Sequence, residues 1–315
     1  MPLIPVSLVV HVALTSVLSV GWAIAALYLF RVRHAAARRW ILASAVLLPV
    51  AGFIGHLVYP RNCTGISGLS THFACLTSSS LGDAGTWLFA SSLALAALQA
   101  FVIWVAQRRA ARDSVPLSQF VWEDPETGAK AQQAVKELED RTGMWLTVDI
   151  TERPGICCTV GVLRPVIVVS EDLCRSLDLA EFKAALAHEA AHISQNDAFI
   201  GLASALVKAL TFFSPAAYLG IRLYMDEREK AADDLAASIT EDPLALASAI
   251  VKVAQAGRPS VAVANAVGNR VGRITGRVQR LLGGVELQKS RLGAPLAIAS
   301  LASFVGLVLI TVLVC

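Results

Sequence analysis

The sequence predicts a mostly α-helical membrane protein: four transmembrane helices and one α+β domain with a small β-sheet outside the membrane. Two observations carry this. The 315 residues are 55% hydrophobic and only 16% charged, with a mean hydropathy of +0.60, where a soluble domain carries about 25% charged residues. The charge deficit is also local. Residues 2–30, 40–59, 86–106 and 292–315 contain no Asp, Glu, Lys or Arg, and about 20 apolar residues cross a bilayer. The remainder, 107–291, is long enough for a domain with its own core. Three units follow: 1–106 with three spans and an external loop 60–85, the domain 107–291, and a fourth span 292–315. A net charge of +3 is small for electrostatic binding of nucleic acid, so no direct nucleic-acid partner is expected.

Basic residues orient the spans. Arg31, Arg33, Arg38 and Arg39 lie after the first run, Arg108, Arg109 and Arg112 after the third, and Lys289 and Arg291 before the fourth; loop 60–85 has only Arg61 and Asp83. This order puts the N-terminus outside and 107–291 in the cytoplasm of a bacterial plasma-membrane protein. The leading MPLIPVS has no basic residue, unlike the start of a cleaved signal peptide, so the first run is read as an uncleaved span. Cys63 and Cys75 share the external loop, where a disulfide can persist; two unpaired cysteines in a short loop are the alternative. Cys157, Cys158 and Cys174 lie on the reducing side and are expected as thiols. His11 and His56, inside membrane runs, are read as hydrogen-bonded between helices.

Within the domain, 113–127 is polar and reads as a linker. Residues 128–141 read as a helix with Ala134, Val135 and Leu138 on one face. Residues 145–150 alternate as a strand, and 156–169 read as one or two more. Pro165 removes a ladder donor, which marks an edge or a bulge; an extended peptide would dock there, at Gly161, Val162 and Leu163. A plain structural hairpin fits the same residues. Ser170 and Asp178 are candidate N-caps, and Asp178 with Glu181 makes a capping box for a helix over 179–194.

That helix contains His188-Glu189-Ala190-Ala191-His192. Histidines at i and i+4 stand on one helical face, so both imidazoles reach one metal ion, while Glu189 points to the same pocket without ligating. This is the pattern of zinc peptidases, and at this composition about 0.004 chance matches are expected. A catalytic zinc needs a third protein ligand and an open position. In the helical segment DEREKAADDLA (226–236), Glu229 is the candidate ligand and Glu227 the competitor. Asp233, four residues after Glu229, would orient a ligand histidine. The apolar stretch 198–225 cannot then cross the membrane once, because Glu229 would face the wrong side. It must be buried or re-entrant, with its turn at Ser214-Pro215.

Three stretches resemble the BlaR/MecR-type membrane metallopeptidases: GVLRPVIVVSEDL (161–173), AALAHEAAHISQND (184–197) and REKAADDLA (228–236). Ser170 replaces a usual Pro and Ala232 a usual Cys. The resemblance implies Zn2+ held by His188, His192 and Glu229, with Glu189 as base and a protein substrate, in that family a cytoplasmic winged-helix repressor. The penicillin-binding sensor domain of the best-known relatives is not expected here. HtpX-type quality-control proteases and CAAX-protease-type enzymes share the HExxH and ExxxD pattern with a poorer helix layout; a non-catalytic membrane receptor or scaffold is the third reading. The lipid bilayer is the other expected partner, and a homodimer stays open. Arg270, Arg273, Arg277 and Arg280 recur at helical spacing and read as a face for anionic lipid, for a docked repressor, or for solvent.

Overall fold

The structure is a computed structural model, and it describes residues 6–58, 82–110, 112–257 and 264–283. It is mostly helical, with one small mixed sheet. The chain divides into two units, one of Met1–Val102, Gly201–Arg228 and Ser290–Cys315, the other of Ile103–Ile200 and Glu229–Lys289.

The first unit is built around α1 (Val6–Leu29) and α2 (Ala35–Val58). Their buried positions include small residues, among them Ala23, Ala26 and Ala45. Ser19 Oγ donates across the interface to the Ala45 carbonyl at 2.9 Å. Small residues let helix backbones approach where lipid supplies no hydrophobic drive. The segment 198–225 is broken into two helices at the expected proline. Helix α7 (Asp197–Leu210) ends before Ser214, and α8 (Pro215–Thr240) starts at the proline, which needs no helical N–H there. Lys208, out of place in an apolar stretch, sits 5.4 Å from the Tyr218 ring centroid as a cation–π pair. Gly220 lies so close to Val20 and Val46 that a Cβ would come within 2.7 Å of Val20.

Two helices among the described residues are long and apolar enough to cross a membrane, Val12–Leu29 and Ala90–Arg109. The second belongs to α3 (Gly82–Ala110), which exposes Trp87, Leu98, Phe101 and Trp104, an apolar surface suited to lipid. The run 292–315, Cys63 and Cys75 lie outside the described residues, as do the side chains of His11 and His56.

The second unit holds the sheet: β1 (Ser114–Pro116), β2 (Val148–Thr151), β3 (Cys157–Val160) and β4 (Val166–Ser170), in the order β1-β2-β4-β3. Strands β2 and β4 are parallel; β1 and β3 run antiparallel to their neighbours. Helices α4 (Pro125–Thr142) and α6 (Leu179–Ser194) bury Ala131, Ala134, Leu138, Phe182 and Leu186 against Ile150, Ile167 and Val169. They are joined by α5 (Glu171–Ser176), α9 (Pro243–Ala256) and α10 (Ala264–Leu282). Leu246 and Leu281 carry the last two into the same core.

Three expectations are corrected. The linker at 113–127 contains β1, and Asp124 in it caps α4 through the Glu126 and Thr127 amides. Local polarity hid a strand that forms by pairing with β2, helped by Ser114 Oγ donating to Asp149 Oδ2 at 3.0 Å. Pro165 lies outside the strands, in the turn between β3 and β4. Gly161 makes that turn at φ +92°, where a Cβ would meet the Arg164 carbonyl at 2.6 Å. Strand β4 is therefore interior and β3 is the edge. Ser170 takes the expected N-cap position of α5 but does not cap it with its side chain; its Oγ accepts from the Ile156 N–H at 3.2 Å.

Gly155 offers a test of this scaffold. It has φ +69°, and a Cβ would lie 2.4 Å from the Ala256 carbonyl at the end of α9. Gly155→Ala combines left-handed strain with a backbone clash and should cost about 2–4 kcal/mol. Gly143, also left-handed at φ +67° but with open space around it, should cost about 1 kcal/mol on the same change. Thermal unfolding of the two variants side by side should rank them in that order.

Candidate metal centre

The site starts from a well-made helix. Asp178 accepts from the Glu181 N–H at 2.8 Å and the Glu181 carboxylate accepts from the Asp178 N–H at 2.9 Å. This is the capping box expected from the sequence, and Lys252 neutralises Glu181 at 2.6 Å. The helix then runs unbroken through His188 and His192, whose rings stand edge to face with centroids 4.6 Å apart.

Three side chains converge. His188 Nε2 and His192 Nε2 are 3.1 Å apart. Glu229, from α8, brings Oε2 to 3.7 Å of the first and Oε1 to 3.9 Å of the second. Two donors bound at about 2.0–2.1 Å in a tetrahedral site must lie roughly 3.3 Å apart. The three donors bracket that spacing and form the one such cluster among the described residues. Two imidazoles and one carboxylate suit zinc, and they leave a fourth position open. Glu227, the competing candidate, points elsewhere: it is buried and pairs with Arg38 at 3.0 Å.

A second layer of carboxylates holds the histidines. Asp197 is 3% exposed and its Oδ2 sits 2.6 Å from His192 Nδ1. Asn196, left-handed at φ +54°, makes the tight turn that folds Asp197 back. Asp233, fully buried, has Oδ1 at 3.1 Å from His188 Nδ1. That N–H is not aimed squarely at the oxygen, so the contact is an ion pair more than an aligned hydrogen bond. Burial pushes the His188 imidazole down, but Asp233 and Glu229 outweigh it and raise its pKa to about 9. Burial likewise works against the Asp233 carboxylate, yet His188 and Arg277 hold it below the usual range.

A model of the family described as BlaR1 peptidase M56 matches residues 86–281. The chain belongs to the BlaR1 peptidase M56 family. No curated protein matches it. Membership makes the chain a peptidase of a membrane-associated family, in keeping with its two apolar helices, and the convergence of His188, His192 and Glu229 supplies a place for a metal ion.

Read as an M56 peptidase, the chain shows two further residues at the site that its sequence did not disclose. Thr159, on the edge strand β3, donates from Oγ1 to Glu189 Oε2 at 2.8 Å. Arg277, from α10, reaches Asp233 and Glu229. Nothing local marks Thr159, and the helical arginine spacing does not say what Arg277 faces; only the partner residues, far off in the chain, give them meaning. Gly161, Val162 and Leu163 lie in the turn after β3, not in a strand, and Leu163 is 94% exposed. The edge beside Glu189 is β3 itself. The three cysteines of this unit are free. Burial, with the Glu189 charge behind it, raises Cys157 well above its ordinary value and Cys158 to about 11; burial raises Cys174 to about 12. All three are protonated at neutral pH, so none is a ready nucleophile.

Proposed function

We propose that this chain is an integral-membrane zinc endopeptidase that cuts a protein on the cytoplasmic side of a bacterial plasma membrane. In that reading residues 1–106 and 292–315 supply four spans, the N-terminus is outside, and 107–291 is the catalytic domain. A winged-helix transcriptional repressor is the proposed substrate class, following the family resemblance. The observation that carries the reading is the pairing of three convergent metal donors with a fourth residue, the carboxylate Glu189, that is hydrogen-bonded from the strand edge instead of joining them. A structural site has no use for that carboxylate.

Zinc bound by His188, His192 and Glu229 would supply Lewis acidity, polarising a carbonyl and acidifying water. The chain's own residues do the rest. Thr159 Oγ1 donates to Glu189 Oε2, which holds the carboxylate in place. Glu189 takes the proton from the attacking water and passes it to the leaving amine. Asp197 and Asp233 keep the imidazoles in the tautomer that presents Nε2. The edge of β3, which pairs on one side only among the described residues, would take the substrate as an added strand, with the turn at Gly161, Val162 and Leu163 flanking it.

Metal content of the detergent-purified chain tests the reading. About one zinc per chain is expected, with most of it lost in His188→Ala and in Glu229→Gln. A wild-type chain that takes up no zinc on reconstitution would remove the enzymatic mechanism and favour a membrane receptor or scaffold.

A further inference from the structure

Helix α10 adds a layer to the centre that the mechanism above does not use. The Arg277 Nη2 donates to Asp233 Oδ1 at 2.6 Å and its Nε to Asp233 Oδ2 at 2.8 Å. This is a two-pronged grip on one carboxylate. Its Nη1 lies 3.3 Å from Glu229 Oε2, and its Nη2 lies 3.3 Å from His188 Nε2. One guanidinium, its side chain 18% exposed, therefore touches a metal-donor carboxylate, a metal-donor imidazole and the carboxylate behind that imidazole. Arg280, three residues on, pairs instead with Asp234 and the Lys230 carbonyl. It docks the same helix on α8 without reaching the donors.

The geometry decides what Arg277 does. Asp233 is completely buried, and a buried charge needs a partner. Both of its oxygens are gripped by Arg277, so Arg277, more than the imperfectly aligned His188 contact, sets the plane of the carboxylate. His188 in turn depends on that plane.

We propose that Arg277 is a positioning residue of the metal centre: it locks the Asp233 carboxylate against His188 and holds Glu229 turned toward the histidine pair. This rests on the metal reading above. The role separates cleanly from a mere charge effect, because the two have opposite signs. A bare positive charge beside a cation site weakens cation binding, so its removal would tighten zinc. A positioning fork strengthens binding, so its removal weakens zinc, and lysine, which keeps the charge but has no planar fork, fails to rescue it.

The test uses the full chain in detergent, with zinc affinity measured by chelator competition and the visible absorption of the cobalt-loaded protein as an activity-independent readout of donor geometry. Arg277→Gln and Arg277→Lys should each weaken zinc by about 10–100-fold, the size of effect seen when a partner of a ligand is removed, and should alter the cobalt spectrum. Arg280→Gln should change neither. Unchanged or tighter zinc binding in the two Arg277 variants overturns the proposal. So does an equal loss in Arg280→Gln, which would mean that loosened helix docking is the cause. Arg277→Gln strands a buried charge, so the neutral double variant Asp233→Asn/Arg277→Gln guards against misfolding; it should fold and still bind zinc weakly, and wild-type affinity in it would also overturn the proposal. A wild-type chain that binds neither zinc nor cobalt fails at the metal reading itself, before any variant is compared.

Discussion

Glu189→Ala should leave the metal centre loaded and lower peptide-bond cleavage by about 10²–10⁴-fold, the usual worth of a positioned general base. Glu189 follows His188 directly, so it leaves the helix about 100° further round and stands beside the donor cluster, not among its members. Thr159 Oγ1 occupies one of its oxygens at 2.8 Å. The alanine variant removes a base without removing a ligand. Thr159→Val is the graded companion. It deletes one hydrogen bond, worth about 1 kcal/mol, and should cost roughly fivefold in turnover while sparing zinc. Zinc content and cleavage of a fluorogenic peptide, measured on the same preparations, read both effects. Cleavage at wild-type rate by zinc-loaded Glu189→Ala would show that the proton is handled elsewhere.

That Glu189 could be picked out as the candidate base reflects how local its signal is. His188, Glu189 and His192 sit within one helical turn, and the helix announces itself through Asp178 and Glu181 at its start; the observed helix runs over the expected residues. The turn at Ser214-Pro215 was legible for the same reason, a proline in an apolar run. Glu229 and Asp233 were readable as an i, i+4 pair, although only the fold separates the ligand candidate from its neighbour, with Glu229 beside the histidine pair and Glu227 paired with Arg38. What stayed hidden is non-local. Strand β1 exists because it pairs with β2 across more than thirty residues, and its own composition is that of a loop. Thr159 lies 30 residues from Glu189, and Arg277 lies 89 from His188. The arginine spacing on α10 was visible, but two of its members face inward to carboxylates and not outward to lipid. A helical repeat of charge states a face without stating what lies opposite it. Pro165 misled for a related reason: a missing ladder donor marks a place where pairing stops, and it cannot say whether that place is a strand edge or a turn.

Stripped of metal, the peptidase domain should lose stability as the pH rises through about 9, and zinc should reverse the trend. In the folded chain the His188 imidazole is pushed down by burial but raised further by Asp233 and Glu229, to about 9. In the unfolded chain it titrates near 6.5. A group that holds its proton more tightly when folded stabilises the fold while protonated. The contribution is complete below about pH 6.5 and disappears as the pH passes 9, with a size on the order of 3 kcal/mol. Zinc demands the neutral imidazole, so this group's proton competes with the ion, and affinity should climb about tenfold per pH unit until about pH 9. Melting curves of chelated and zinc-saturated protein at pH 6 and pH 9.5, set against the same curves for His188→Gln, isolate the histidine from every other titrating group. The chelated wild type should lose its advantage over His188→Gln at the higher pH, while the stabilisation by zinc, present only in the wild type, should grow. A pH-independent difference between the two chelated proteins would mean that Asp233 is neutralised by Arg277 alone, and that His188 stands uncharged beside it before any metal arrives.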